Sequence, residues 1–134
     1  MGQQQLLLII LGVIVVGIAV VVGITMFQDN AISANRDAVT NDLVNLGARA
    51  QQFYRRPHAL GGGQNSFTDM AMKDLVGSVT SGTTWTNPNG SYNLTGADAD
   101  LATITGEGTE KVGGTPVKVT CTVTPDSIQT IVNN

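Results

Sequence analysis

His58 is the only histidine in the chain and follows Pro57. A catalytic base needs a nucleophile or an orienting carboxylate within hydrogen-bond reach. The sequence around His58 supplies neither, so it reads as a solvated loop residue. Cys121 is the only cysteine, which excludes an internal disulfide and a thiolate metal cluster. It alternates with Val117, Val119 and Val123 and so reads as a small buried hydrophobe rather than a reactive thiolate. Gly61-Gly62-Gly63 neither follows a strand pattern nor opens into Gly-Lys-Ser/Thr, so it is not a phosphate loop. The carboxylate pairs Asp98/Asp100 and Glu107/Glu110 are of the type that binds calcium, but the spacing of a calcium-binding loop is absent. Both pairs read as solvated turns. Asn89-Gly90-Ser91 and Asn93-Leu94-Thr95 fit the N-glycosylation acceptor and make Asn89 and Asn93 candidate glycosylation sites. These residues compose no catalytic constellation. The expectation is a protein that is not an enzyme and takes no cofactor or metal.

Composition narrows the partners. Only 13% of residues are charged and the net charge is −3, which is the wrong balance for a nucleic-acid surface. Aromatic residues are too sparse for a base-stacking platform. Glycine and threonine are plentiful, as suits turns and strands.

The remaining residues with a chemical signature are Gln3, Gln4 and Gln5, which lead into an apolar run. From Leu6 to Phe27 the only hydroxyl is Thr25, and there is no charge. About 20 apolar residues cross a bilayer core of roughly 30 Å, and lipid admits only a backbone that satisfies its own hydrogen bonds, so the run is expected to be a helix. A removable signal peptide would need a basic start and a small-residue cleavage site. Met1 to Gln5 contains no Lys or Arg, and Gln28-Asp29-Asn30-Ala31 offers no clear site, so the run is expected to be retained. The amides at its tip can bond orphan N–H groups of the first turn, a terminal amine or the amides of a neighbour. A simpler reading is that they hold one helix end at a membrane surface.

The run does not end in a turn. Between Asp29 and Arg56 there is no Pro and the only Gly is Gly47. Ile32, Val39, Leu43, Leu46, Ala50 and Phe53 repeat at steps of seven, four, three, four and three, one stripe of a helix. Asn30, Asn35, Arg36, Asp37, Asn41, Asp42, Arg49 and Gln52 are assigned to its other faces. Arg55 and Arg56 suit the negative end of the helix dipole, and Pro57 stops it. One helix is therefore expected from about Gln3 to Arg56, roughly 80 Å long.

After Pro57 the pattern changes. Residues 58–65 read as a flexible loop. Ser66-Phe67-Thr68-Asp69 has the spacing of a capping box, followed by the short apolar face of Met70, Ala71, Leu75 and Val76, with Gly77 as the stop. A Ser/Thr/Gly stretch from Ser78 to Thr84 leads to Trp85, and Asn87-Pro88-Asn89-Gly90 is a turn signal. Ser91 to Thr95 and Leu101 to Thr105 are short alternating runs. Pro116 to Thr124 is the clearest strand, with Val117, Val119, Cys121 and Val123 on one face, and Ser127 to Val132 returns beside it. Strands this close in sequence pair antiparallel. The fold class expected is α+β: a long N-terminal helix, apolar then amphipathic, packed on a small antiparallel sheet. Its parts are residues 1–28, an apolar membrane or filament-core helix; 29–56, the amphipathic continuation; and 57–134, the globular region.

This layout, together with MGQQQLLLIILGVIVVGIAVVVG at its head, resembles the type IV pilin and pseudopilin family. In that family the first mature residue is hydrophobic or Met and is N-methylated after prepilin peptidase cleavage; Met1 stands at that place. The fifth residue is usually Glu, and here it is Gln5. The family's helix-breaking proline is missing, leaving Gly12, Gly17 and Gly23 as the weak points, and the C-terminal disulfide common in pilins is ruled out by the single cysteine.

The resemblance implies a structural subunit of an extracellular, pilus-like filament, or fimbrium. Such a subunit waits in the inner membrane and polymerises with its own copies through the N-terminal helices, with prepilin peptidase and the pilus assembly machinery as partners. Met1, Gln3, Gln4 and Gln5 would then be the processing and assembly residues. A secretion-system pseudopilin shares the same physics. The alternative from another class is a monomeric, single-span, membrane-anchored surface domain that displays its Thr/Asn-rich loops to a ligand.

Overall fold

The computed structural model describes residues 2–79 and 83–134. Met1 and residues 80–82, part of the Ser/Thr/Gly stretch, lie outside the described residues.

The helix α1 runs unbroken over Gly2–Arg55, as the absence of Pro before position 57 allows. Its buried residues include Val39, Leu43, Leu46, Ala50 and Phe53, the stripe read from the sequence, and Ile32 packs at its margin. The helix ends in a loop built to receive it. Gly63, Gln64 and Asn65 donate backbone N–H groups to the carbonyls of Phe53, Arg56 and Tyr54 at 2.8, 2.9 and 2.6 Å. Carbonyls at a helix end need such partners from outside the helix, and the Phe53 carbonyl also accepts the Arg56 N–H at 3.2 Å. Residues 58–65, expected as a flexible loop, are therefore a hydrogen-bonded terminator, entered through a 3-10 turn, His58–Leu60.

The capping box expected at Ser66 and Asp69 is not formed. Ser66 Oγ instead accepts from the Thr68 N–H, a local turn. The short helix α2, Met72–Val76, starts three residues beyond Asp69, where Asp74 Oδ2 accepts the Ala71 N–H at 2.9 Å. It stops as expected at Gly77, in the left-handed conformation.

The rest is an antiparallel meander in chain order: β1 Thr84–Asn87, β2 Gly90–Ala97, β3 Ala102–Val112, β4 Thr115–Val123 and β5 Ile128–Val132. The Asn87–Gly90 turn is held by Asn87 Oδ1, which accepts the N–H groups of Asn89 and Gly90. Gly113 and Gly114, both at positive φ, join β3 to β4, the pair a two-residue hairpin turn demands. Val117, Val119, Cys121 and Val123 of β4 all point into the core. Tyr92, Ala102 and Ile104 meet them there, and Phe67, Met70, Met72 and Leu75 complete the cluster.

Two elements differ from expectation. The strand β1 forms where the sequence shows no strand pattern, through pairing with β2. The strand β3 continues seven residues past Thr105 because Gly106 and Gly108 are not turn residues. They lie inside the strand where α1 comes closest. A Cβ on Gly106 would stand 2.8 Å from Val39 Cγ1, and one on Gly108 would collide with the Asn35 side chain. The glycines clear a track for the helix.

Candidate assembly surface

The sheet covers only the second half of α1. Every large apolar side chain from Leu6 to Phe27 is between 51% and 78% exposed. These are seventeen Leu, Ile, Val, Met and Phe residues. Burying such a side chain fully is worth about 1.5–3 kcal/mol. The run therefore stakes on the order of tens of kcal/mol on its surroundings, more than the ~5–15 kcal/mol that holds a whole domain together. It is long and apolar enough to cross a membrane. Its one hydroxyl is also prepared for an apolar environment: Thr25 Oγ1 donates to the carbonyl of Val21, one turn back, at 3.0 Å.

Gln3, Gln4 and Gln5 occupy the first turns of this helix and are exposed. Successive residues on a helix point about 100° apart, so the three amides ring the tip instead of lining one side. Their side chains form no hydrogen bond within the described residues. Gln4 shares a shallow concavity with Leu7, Leu8 and Leu11. Met1, expected beside them as a processed terminus, lies outside the described residues.

No protein-family model matches the chain, and no curated protein or solved structure is detectably similar to it.

A surface of this kind is useful only if its lever is fixed to the head. Polar residues on the flanks of the buried stripe do that. Asp42 Oδ2 accepts the Tyr92 hydroxyl at 2.6 Å and the side-chain amides of Asn87 and Asn89 at 2.9 Å each. Burial by itself would raise the Asp42 pKa, but the hydrogen bonds from Tyr92, Asn89 and Asn87 outweigh it and hold the carboxyl below its ordinary value. The Tyr92 hydroxyl is pushed well above the tyrosine range, by burial first and then by the Asp42 carboxylate. Two turns toward the apolar half, Asn35 is buried. Its Nδ2 donates to the carbonyl of Asn89 at 2.9 Å, and its Oδ1 accepts the Glu110 N–H at 3.3 Å. Farther along, Arg36, Arg49, Gln51 and Arg55 donate to the carbonyls of Asn134, Leu75, Thr124 and Pro125.

Asn35 and Asp42, assigned from the sequence to the solvent faces, thus belong to the sheet-facing side. The signal was present: Asn35, Val39, Asp42 and Leu46 follow one another by four, three and four. An apolar-only stripe passes over polar residues that are paired on burial.

The other candidates fall elsewhere. His58 is exposed in the 3-10 turn. Cys121 is buried, its Sγ 3.7 Å from the carbonyl oxygen of Leu43, and burial pushes its thiol up to about 11. Asp100 accepts the Tyr54 hydroxyl at 3.3 Å. Among the described residues, no three His, Cys, Asp or Glu side chains come together as a metal site. The two glycosylation candidates separate: Asn89 spends its amide nitrogen on Asp42, whereas Asn93 stands on the face of the sheet turned away from α1.

Proposed function

We propose that the chain is the structural subunit of a pilus-like extracellular filament, built by packing the apolar halves of α1 from many copies into a common core. The observation that carries this reading is the division of one rigid helix. Residues 35–53 are clamped under the sheet by apolar and polar contacts, and Leu6 to Phe27 is an uncharged rod, apolar but for Thr25, with nothing of its own to cover it. Before assembly the rod lies in the inner membrane. After assembly its neighbours replace lipid, and the sheets form the wall. Contacts that repeat without closing produce a helical polymer. The role is structural and not enzymatic.

Electron microscopy of surface fibres sheared from cells that express the chain tests the reading. Fibres in which Leu6 to Phe27 is buried among copies are expected. Detergent-soluble monomers with no fibres at any expression level would overturn it in favour of a single-span anchored domain.

A further inference from the structure

Asn93 stands at the centre of the face of the sheet turned away from α1, the face the filament wall leaves outward. Along β2 it lies between Ser91 and Thr95, and its register partners are Thr84 on β1 and Thr105 on β3. All four neighbours carry hydroxyls, and together they line a depression of about 320 Å³, at the small end of the range for small-molecule sites. Asn93 Oδ1 is enclosed there without a hydrogen-bond partner, alone in this among the described side chains. A buried acceptor left unpaired carries its full desolvation penalty. Turning the Asn93 amide toward a donor in the depression would relieve that penalty. At one side Glu107 and Lys118 are register partners on β3 and β4. They form no ion pair with one another, so they offer one further acceptor and one further donor whose charges cancel.

We propose that this depression binds a neutral, polyhydroxylated ligand, a mono- or disaccharide unit, the Asn93 amide turning so that its Oδ1, enclosed in the free protein, accepts from a ligand hydroxyl. The lining favours neither an anion nor a cation. It holds no aromatic ring, since Trp85 and Tyr92 are paired on the opposite, helix-covered side, and so offers no platform for a base or a flat apolar ring. Closely spaced hydroxyls that both donate and accept match a ligand that does the same. Asn93-Leu94-Thr95 is also a glycosylation acceptor, so the test must tell a bound sugar from an attached one.

The test is ¹H–¹⁵N spectroscopy of the full chain in phosphocholine micelles, because sugar-based detergents would compete. Glucose, galactose, N-acetylglucosamine, maltose and lactose are titrated separately, with inorganic phosphate as the charged control. At least one sugar is expected to shift the amides of Ser91, Asn93, Thr95 and Thr105 saturably, with millimolar affinity. Asn93→Leu is expected to weaken that binding about tenfold or more, as loss of the central acceptor requires. Thr105→Val should act in the same direction and serves alone if Asn93→Leu disturbs the core resonances. Shifts that rise linearly with every sugar, saturation by phosphate only, or equal binding by both variants would overturn the proposal. A sugar mass found covalently on Asn93 of the native chain would overturn it as well, because the depression would then hold the chain's own glycan.

Discussion

Asp42 couples the lever to the head through one oxygen atom with three donors. Its folded-state pKa is depressed, so the stability it contributes is present above the unfolded value near 4 and is lost as pH falls through the folded value. Asp42→Asn is expected to destabilise the head by about 1–3 kcal/mol at neutral pH, since the buried Tyr92 hydroxyl loses a charged acceptor. It should also flatten the loss of stability below about pH 4. Urea unfolding of both proteins between neutral and acid pH measures this, and parallel curves would show that the carboxylate is not the coupling group. At the other end of α1, Gln5→Leu is expected to lower fibre yield per cell at equal subunit expression. An amide that bonds a neighbour in a dry core loses that bond, a cost of about 1–3 kcal/mol per subunit. Gln5→Glu should assemble if the partner is an amine, since a paired carboxylate replaces the amide. Unchanged fibre yield with Gln5→Leu would make the glutamines interfacial anchors only.

Among the elements, α1 decides how the filament core is built. It is continuous over 54 residues, and Gly12, Gly17 and Gly23 lie within it with no side chain near them. A glycine costs about 1 kcal/mol relative to Ala inside a helix, whereas an unpaired backbone group in an apolar core costs several. The three are spaced too widely for their costs to fall within one turn. The helix should therefore stay intact in the assembled fibre, with at most a loosening around Gly17 to Gly23. A filament density map checks this; extended chain over several residues there would refute it.

As a whole the molecule consists of a head with its own core and a rod without one. The core cluster draws on α1 only from Val39 to Phe53, with Ile32 at its margin, and the polar clamps begin at Asn35. Removing residues 1–28 should therefore leave a soluble, monomeric and cooperatively folded head, measured by sedimentation and thermal melting. Val119→Asp in that head should abolish the transition, because Val119 is completely buried on β4 and an unpaired carboxylate there has no partner. Aggregation of the truncated head would mean that the rod also takes part in folding. A normal melt for the variant would place the β4 face incorrectly.

The sequence by itself determined the features set by periodicity. An uncharged run of membrane length, a stripe stepping by three and four, and the alternation through Val117, Val119, Cys121 and Val123 each allow one local structure, because a helix repeats every 3.6 residues and a strand every two. Pro57 and Gly77 marked helix ends by backbone chemistry that needs no neighbour. Only the tertiary structure decided which polar residues are buried and which glycines are turns. Asn35 and Asp42 resemble any solvent-facing pair until Asn87, Asn89 and Tyr92, more than 40 positions away, arrive to satisfy them. Gly106 and Gly108 resemble turn punctuation until the helix passes over β3 too closely for a side chain. The position of Asn93 in a ring of hydroxyls is likewise a product of register between β1, β2 and β3. Contacts between distant segments depend on how strands align and helices lie, and local spacing carries no record of that.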